Sequence, residues 1–178
     1  LITHSQSGPF GWLIADKRPE AVRAIVAIEP NGPPFREVRF LGEPDWFEYE
    51  EELARPWGIT RMPLTFEPPF SGPEELAPVL ENAPSGVQVP AWVPSAAPRR
   101  LANLAGIPIG IFTAESSYHA PYDHATSAFL HWAGVEHDFV RLESLGLEGN
   151  GHMVMLEKNS DEVAGELMAW LSQRAVLD

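Results

Sequence analysis

The sequence predicts an α/β fold, in the form of the C-terminal half of a doubly wound, mostly parallel sheet with an inserted lid. Apolar runs typical of buried strands alternate with helical stretches at both ends of the chain. The middle of the chain is instead rich in proline and aromatic residues. Alternating strands and helices favour a parallel sheet, because parallel neighbours need a long crossover connection.

The first unit is a strand, a tight turn, a helix and a second strand. Leu1-Ile2-Thr3 is typical of the last part of a buried strand, and a short helix should span residues 8–17 and end before Arg18-Pro19. The β-branched run at residues 22–28 predicts an interior strand. The crossover should be right-handed, which places this strand beside the first.

Residues 36–98 are predicted to form a lid or cap between two core segments, residues 1–35 and 99–178. Within it, the acidic stretch Asp45 to Ala54 and the segment Pro73 to Asn82 each favour a helix. We expect most of its aromatic residues to pack the insertion onto the core, and a few to line an apolar cleft. The aromatic residues considered are Trp46, Phe47, Tyr49, Trp57, Phe66, Phe70 and Trp92.

Strand and helix alternate again after the insertion. The pattern predicts a strand at residues 107–113, a helix over about 122–132, a strand at 137–142, a loop over 143–152 and a final helix over about 160–175. The apolar positions of the final helix recur at helical spacing, so they should form part of the core. They are Val163, Leu167, Trp170 and Leu171.

Composition and charge exclude several classes of protein. With 44% hydrophobic and 21% charged residues, the chain can bury a substantial core. A net charge of -13, with 12 basic residues that form no run or stripe, argues against nucleic acid as a partner. No apolar stretch approaches the roughly 20 residues that cross a bilayer, so the sequence predicts a soluble protein.

The chain contains no cysteine, which excludes disulfides, thiolate metal sites and a cysteine nucleophile. This leaves the compartment open, with a secreted or periplasmic location among the alternatives. The first strand has no earlier unit before it, and one edge fragment cannot form a packed sheet. We therefore expect an N-terminal half, supplied upstream or by a separate chain.

Ser5 is the candidate nucleophile. It interrupts the first apolar run, and its second neighbours, Thr3 and Ser7, are both small, as a strained strand-to-helix turn requires. Glycine is more usual at both places. A strand that leads into an ordinary helix N-cap is the competing interpretation of this pattern.

A serine hydroxyl attacks a carbonyl carbon only if a nearby imidazole removes its proton. His152 has the strongest context of the six histidines, because it lies in a glycine-rich loop between the last strand and the last helix. We expect His4 to point away from the site, and the role of His119, in a loop after a central strand, stays open. Structural or solvated positions are expected for His124, His131 and His137.

A carboxylate must orient the imidazole and stabilise its charged form. Glu29 and Glu115 both follow strands at the carboxyl edge of the predicted sheet, where sites in parallel sheets assemble. Glu29 ends an apolar strand, an environment with few other reasons to contain a charge. Glu115 follows the strand that more often carries the acid, and Asp123 is a third alternative.

Three segments together resemble the α/β-hydrolase esterases typified by a bacterial enzyme that cleaves esters of halogenated cyclic compounds. They are residues 3–8 (THSQSG), 27–30 (AIEP) and 149–153 (GNGHM). The resemblance implies the α/β-hydrolase fold, with Ser5 as nucleophile, Glu29 as acid and His152 as base. The chain order of serine, acid and histidine is also that of this fold.

The resemblance implies a serine hydrolase that cleaves small-molecule carboxylic esters through an acyl-enzyme intermediate, with no metal or organic cofactor. The backbone N–H of Gln6 should help to hold the oxyanion, together with a second N–H from an earlier loop. Two alternatives stay open. One is a related reaction such as amide or lactone hydrolysis, and the other is a non-catalytic binding module.

Overall fold

The computed structural model describes residues 1–41, 47–84 and 88–174. Three α-helices lie in these ranges, namely α1 (Gly8–Lys17), α2 (Asp123–Trp132) and α3 (Ser160–Gln173). The strands of the described ranges are β1 (Ile2–His4), β2 (Ile25–Ile28), β3 (Phe35–Phe40), β4 (Phe47–Arg55), β5 (Phe66–Glu67), β6 (Pro78–Glu81), β7 (Ala91–Pro94), β8 (Arg100–Leu101), β9 (Ile109–Thr113) and β10 (Asp138–Arg141).

The central sheet has four parallel strands in the order β1-β2-β9-β10. Thr3 lies opposite Ala27, Ala27 opposite Ile111, and Ile111 opposite Phe139. The predicted α/β class is therefore confirmed, and so is the position of β2 beside β1. All four strands end at one edge, where the segments that follow them come together.

The two faces of the sheet carry separate apolar clusters, because successive side chains of a strand point to opposite faces. One cluster contains Ile25 and Ala27 together with residues of α1 and α2, among them Trp12 and Phe129. The other contains Val26 and Ile28 together with α3. The predicted apolar stripe of the final helix is confirmed as core, since all four of its residues are buried in this second cluster.

The prediction of a helix from Asp45 to Ala54 is wrong. Residues 47–55 form β4, which pairs antiparallel with β3, and Asp45 and Trp46 lie outside the described residues. Val38 lies opposite Tyr49 and Phe40 opposite Phe47. Aromatic and β-branched pairs of this kind stabilise a sheet, and they outweigh the weak helical preference of the acidic residues.

The prediction of a helix from Pro73 to Asn82 is also wrong. A single 3-10 turn spans Pro73–Leu76, and the chain then continues as β6, which pairs antiparallel with β7. Ala77 has a φ of 45°, outside the right-handed helical region. Because Ala77 precedes Pro78, the α conformation is disfavoured at that position, and the turn cannot grow into a helix.

Most of the described aromatic residues in the range 36–98 pack inward, as the sequence indicates. Phe66 is buried in the first apolar cluster, and Trp57, Phe70 and Trp92 pack against it. Phe40 instead contacts the ring of Tyr118, on the loop after β9, with centroids 5.3 Å apart. Among the described helices, none has the length and apolar character needed to cross a bilayer.

Candidate active site

Ser5 lies in a sharp turn between β1 and α1. Its φ of 53° is in the left-handed region, which is uncommon for a residue with a side chain. The side chain of Ser7 closes the turn, since its Oγ donates to the His4 carbonyl at 2.7 Å and accepts from the His4 N–H at 2.8 Å. The small polar residue two positions after Ser5 therefore has a direct structural role.

The turn is packed tightly against the segment that follows β2. A Cβ atom added at Gly8 would lie 2.5 Å from Cβ of Pro30, so only glycine fits there without movement. The N–H of Asn31 also donates to the carbonyl of Ser5 at 2.8 Å. These contacts fix the position of Ser5 relative to Glu29, the residue before Pro30.

Glu29 has a fully buried side chain whose oxygens are all hydrogen-bonded. Its Oε1 accepts from the Ala114 N–H at 2.8 Å, and its Oε2 accepts from the Ser117 hydroxyl at 2.8 Å. The same Oε2 accepts a hydrogen bond from Nδ1 of His152. A buried carboxylate needs such partners, and here one of them is the candidate base.

The late loop, residues 146–153, carries His152 and is held by hydrogen bonds on either side of Asn150. Glu115 Oε2 accepts from the Gly149 N–H at 2.8 Å, and Glu157 Oε1 accepts from the Gly151 N–H at 2.9 Å. Between them, the side chains of Asn150 and Asn159 exchange two hydrogen bonds, at 2.9 and 3.0 Å. The backbone before His152 is therefore well defined, although it has no regular secondary structure.

Two neighbours connect His152 to the region of Ser5. The His4 ring lies 4.5 Å from the His152 ring, and its Nε2 donates to the His152 carbonyl at 2.9 Å. The Tyr118 ring lies 4.6 Å from the same imidazole, and its hydroxyl interacts with the Ser5 side chain. The prediction that His4 points away from the site is wrong, because the Ser5 turn directs its ring onto the late loop.

The other predicted acids have different partners. Glu115 is bonded to the backbone of the late loop, as described above. Asp123 accepts from Thr113 Oγ1 at 2.7 Å and from Nδ1 of His119 at 2.9 Å. Neither is hydrogen-bonded to His152 in the described structure, whereas Glu29 is.

The remaining histidines lie near their predicted places. His124 and His131 are on α2, and His137 directly precedes β10, where its ring bonds to the Ser127 hydroxyl at 2.7 Å. His119, whose role was open, is buried, and its ring stacks on that of His152 with centroids 4.7 Å apart. It therefore belongs to the surroundings of the candidate base.

Sequence reasoning missed Ser117 and Tyr118. Both lie in the loop after β9, and this loop contacts Glu29 and His152 at the same time. The order of the strands provides a signal in retrospect, because the loop after β9 must lie beside the segment after β2.

Burial lowers the pKa of His152 below the usual histidine value. The hydrogen bond to Glu29 opposes this effect, while the imidazoles of His119 and His4 lower the pKa further. The pKa of Tyr118 is raised, mainly by burial, and the interaction with Ser5 opposes the rise. His152 is therefore held largely in its neutral form, the form that can accept a proton.

Gln6 is the second residue of the 3-10 turn Ser5–Ser7 that leads into α1. The first N–H groups of a helix have no acceptor within it, and they lie at its positive end. The Gln6 N–H therefore suits an anionic oxygen beside Ser5. Its side chain is exposed.

Three of the described residues are close enough to hold a metal ion. The ligand atoms of His4, Glu29 and His152 lie within 4.8 Å of one another. Hydrogen bonds already explain this proximity, because both oxygens of Glu29 accept from neighbours and His4 donates to the His152 carbonyl. An ion would have to displace these bonds.

Comparison with known proteins gives one informative similarity. Over 177 residues, or 98% of its length, the chain is 39% identical to a protein of the fungal strain ATCC 74256 that is called a probable secreted lipase, phiG. The chain covers 46% of that protein, so it spans about half the length of the relative it matches. No protein-family model matches the chain.

Proposed function

We propose that this chain carries the catalytic residues of a serine hydrolase that cleaves carboxylic esters, with Ser5 as nucleophile, His152 as base and Glu29 as acid. The observation that carries the proposal is the hydrogen bond from Nδ1 of His152 to the buried carboxylate of Glu29. Because Nδ1 carries the hydrogen of this bond, Nε2 is the ring nitrogen that can accept the proton of the serine hydroxyl. Ser5 lies in a strained turn, and the residue before it, His4, packs its ring against that of His152.

In the proposed reaction the Ser5 Oγ attacks the ester carbonyl carbon while Nε2 of His152 takes the hydroxyl proton. The bond from the carbonyl carbon to the leaving oxygen then breaks, and the imidazolium gives its proton to the departing alcohol. Water repeats the sequence on the acyl-enzyme, which releases the carboxylic acid and restores the serine hydroxyl. Glu29 stabilises the imidazolium that forms in each half of the cycle.

The Gln6 N–H is the proposed donor to the tetrahedral oxyanion. A second donor is usual in such sites, and in α/β-hydrolases it comes from a loop that precedes the nucleophile strand. Loss of one donor typically costs about 10²- to 10³-fold in rate. We therefore propose that full activity depends on a segment N-terminal to β1.

The similarity to a probable secreted lipase supports both the ester substrate and the α/β-hydrolase fold of the proposal. It also supports secretion as the proposed location. In this proposal residues 36–98 form a lid over the site, and the exposed ring of Tyr118 against Phe40 supports an apolar entrance there. The partner is a small-molecule ester, and the finer resemblance to esterases of halogenated cyclic compounds belongs to the same proposal.

Covalent labelling tests the nucleophile. The full-length protein is incubated with a fluorescent organophosphonate, and the labelled peptide is mapped by mass spectrometry. We expect one label on Ser5, lost in Ser5→Ala and kept in the control Ser172→Ala, which changes an exposed serine of α3. An unlabelled native protein would favour a binding module.

A substrate panel then separates the reaction types. We expect unactivated alkyl esters of short-chain acids to be hydrolysed faster than the amides of the same acids and faster than simple lactones. The reverse ranking, with Ser5 still labelled, would favour amide or lactone hydrolysis by the same residues.

A further inference from the structure

A second buried imidazole–carboxylate pair lies next to His152, and the proposed mechanism does not use it. Nδ1 of His119 donates to Oδ1 of Asp123 at 2.9 Å, and Thr113 Oγ1 donates to Oδ2 at 2.7 Å. The side chains of His119 and Asp123 are 2% and 0% exposed. Burying such a pair is costly unless its geometry is well satisfied, so its position is closely defined.

The two imidazoles are stacked. The centroids of the His119 and His152 rings are 4.7 Å apart, and their planes differ by 6°. The other rings around His152 are tilted against it, that of His4 by 34° and that of Tyr118 by 48°. Of these three rings, that of His119 therefore lies most nearly parallel to the ring of the candidate base.

A single hydrogen bond at one nitrogen restricts an imidazole, but rotation about the Cα–Cβ and Cβ–Cγ bonds can still tilt the ring plane. The bond from Nδ1 of His152 to Glu29 is of this kind. The nearly parallel ring of His119 against one face of the His152 ring limits this tilt. Asp123 holds the His119 ring in place, because it ties His119 to the first turn of α2 and, through Thr113, to the end of β9.

We propose that His119 is a positioning residue for the reaction, held by Asp123 so that its ring sets the plane in which Nε2 of His152 approaches Ser5. This inference rests on the proposed function. It assigns His119 no contact with the substrate. Its role is to restrict the orientation of the His152 ring to the one in which Nε2 can take the Ser5 proton. Loss of such positioning can lower a rate by large factors.

His119 also acts on His152 through charge. The groups that face His152 are Glu29 after β2, His4 on β1, and Tyr118 and His119 on the loop after β9, with Asp123 behind His119. A positive charge on His119 or His4 lowers the pKa of His152, and the carboxylate of Glu29 raises it. Removal of the His119 imidazole should therefore raise the pKa of His152.

The test uses His119→Gln in the full-length protein, because the glutamine amide can still donate to Asp123 but lacks the imidazole ring. Asp123→Asn is the second variant. Its amide keeps one acceptor oxygen for the two donors, Thr113 Oγ1 and His119 Nδ1. His131→Gln, an exposed position on α2, is the matched control. Rates of hydrolysis of a soluble short-chain ester are measured over the acid limb of the pH profile, the range in which kcat/KM falls as pH drops. Each rate is divided by the concentration of active sites, which is titrated with an organophosphonate.

We expect His119→Gln to lower kcat about 10- to 100-fold with little change in KM, and to move the acid limb of kcat/KM to higher pH. Asp123→Asn should also lower kcat and move the acid limb to higher pH, but less than His119→Gln does. The control should match the native protein in both. Titration of active sites removes the effect of any unfolded fraction.

A native kcat and acid limb in His119→Gln would overturn the inference, whatever its melting temperature. If that variant does not fold, native values in Asp123→Asn would overturn it. A native protein that the phosphonate fails to label at Ser5 would remove the proposed function, and this inference with it. Labelling at Ser5 together with an unaffected His119→Gln would remove the inference alone.

Discussion

Glu29 accepts a hydrogen bond from Nδ1 of His152, although 123 positions separate the two residues in the sequence. The bond depends on the parallel order of the sheet, which brings the end of β2 beside the loop after β9 and beneath the late loop. The buried oxygens of Glu29 thus gather three elements at one point.

Glu29→Gln should lower kcat about 10³- to 10⁴-fold, because a neutral amide no longer stabilises the imidazolium and can favour the wrong tautomer of His152. Glu115→Gln is the matched control, since the amide oxygen can still accept from the Gly149 N–H. Steady-state rates on one ester, with melting temperatures for both variants, make the comparison. A larger loss in Glu115→Gln at equal stability would contradict the assignment of the acid.

The pH dependence follows from the lowered pKa of His152. In the proposed mechanism His152 works in its neutral form, so kcat/KM should fall as pH drops through the pKa of His152 in the free enzyme. Because burial lowers that pKa, the acid limb should lie below the usual histidine value of about 6.5. A profile of kcat/KM against pH on a neutral ester measures it. An acid limb above this value would show that Glu29 outweighs burial.

Tyr118→Phe should lower kcat by a modest factor, roughly 3- to 10-fold, since a neutral hydrogen bond typically contributes about 1 kcal/mol. The change removes the hydroxyl that interacts with Ser5 and keeps the ring that contacts His152 and Phe40. Tyr49→Phe is the control, because its hydroxyl bonds to the Pro90 carbonyl. Equal rates for native protein and Tyr118→Phe would restrict Tyr118 to packing.

The sequence was sufficient for the elements at both ends of the chain, where apolar periodicity is strong. Helices α1 and α2 and strand β9 lie within one or two residues of their predicted bounds. The middle of the chain was predicted wrongly, because its strands depend on cross-strand pairs such as Val38 with Tyr49, which local helical preference does not reveal. Short acidic segments next to proline were a poor guide to helices there.

Within the candidate site, the local sequence singled out Glu29 and His152, which the structure brings into contact, but not the residues that support them. Glu29 is conspicuous as a charge at the end of an apolar strand, and His152 as a histidine among glycines. Ser117 and His119 have no such local mark. Their contacts with Glu29 and His152 exist because the sheet places β9 next to β2, a relationship between distant segments.

Gly8→Ala should destabilise the fold by about 1–3 kcal/mol, because the new Cβ would lie 2.5 Å from Cβ of Pro30 and 2.7 Å from its Cα. These atoms and the backbone N of Asn31, 3.1 Å away, belong to one rigid segment, so little room is left for relaxation. Gly165→Ala is the control on α3, where an added Cβ meets no atom within 4 Å and should stabilise the helix by up to about 1 kcal/mol.

Urea unfolding of both glycine variants measures the difference, and phosphonate labelling reports on Ser5. The turn at Ser5 is packed against Pro30, the neighbour of Glu29, so any relaxation around Gly8→Ala moves the proposed nucleophile relative to the proposed acid. Labelling should therefore slow in Gly8→Ala more than in Gly165→Ala, even under conditions where both are folded. Native stability and a native labelling rate in Gly8→Ala would show that this close packing does not set the position of Ser5.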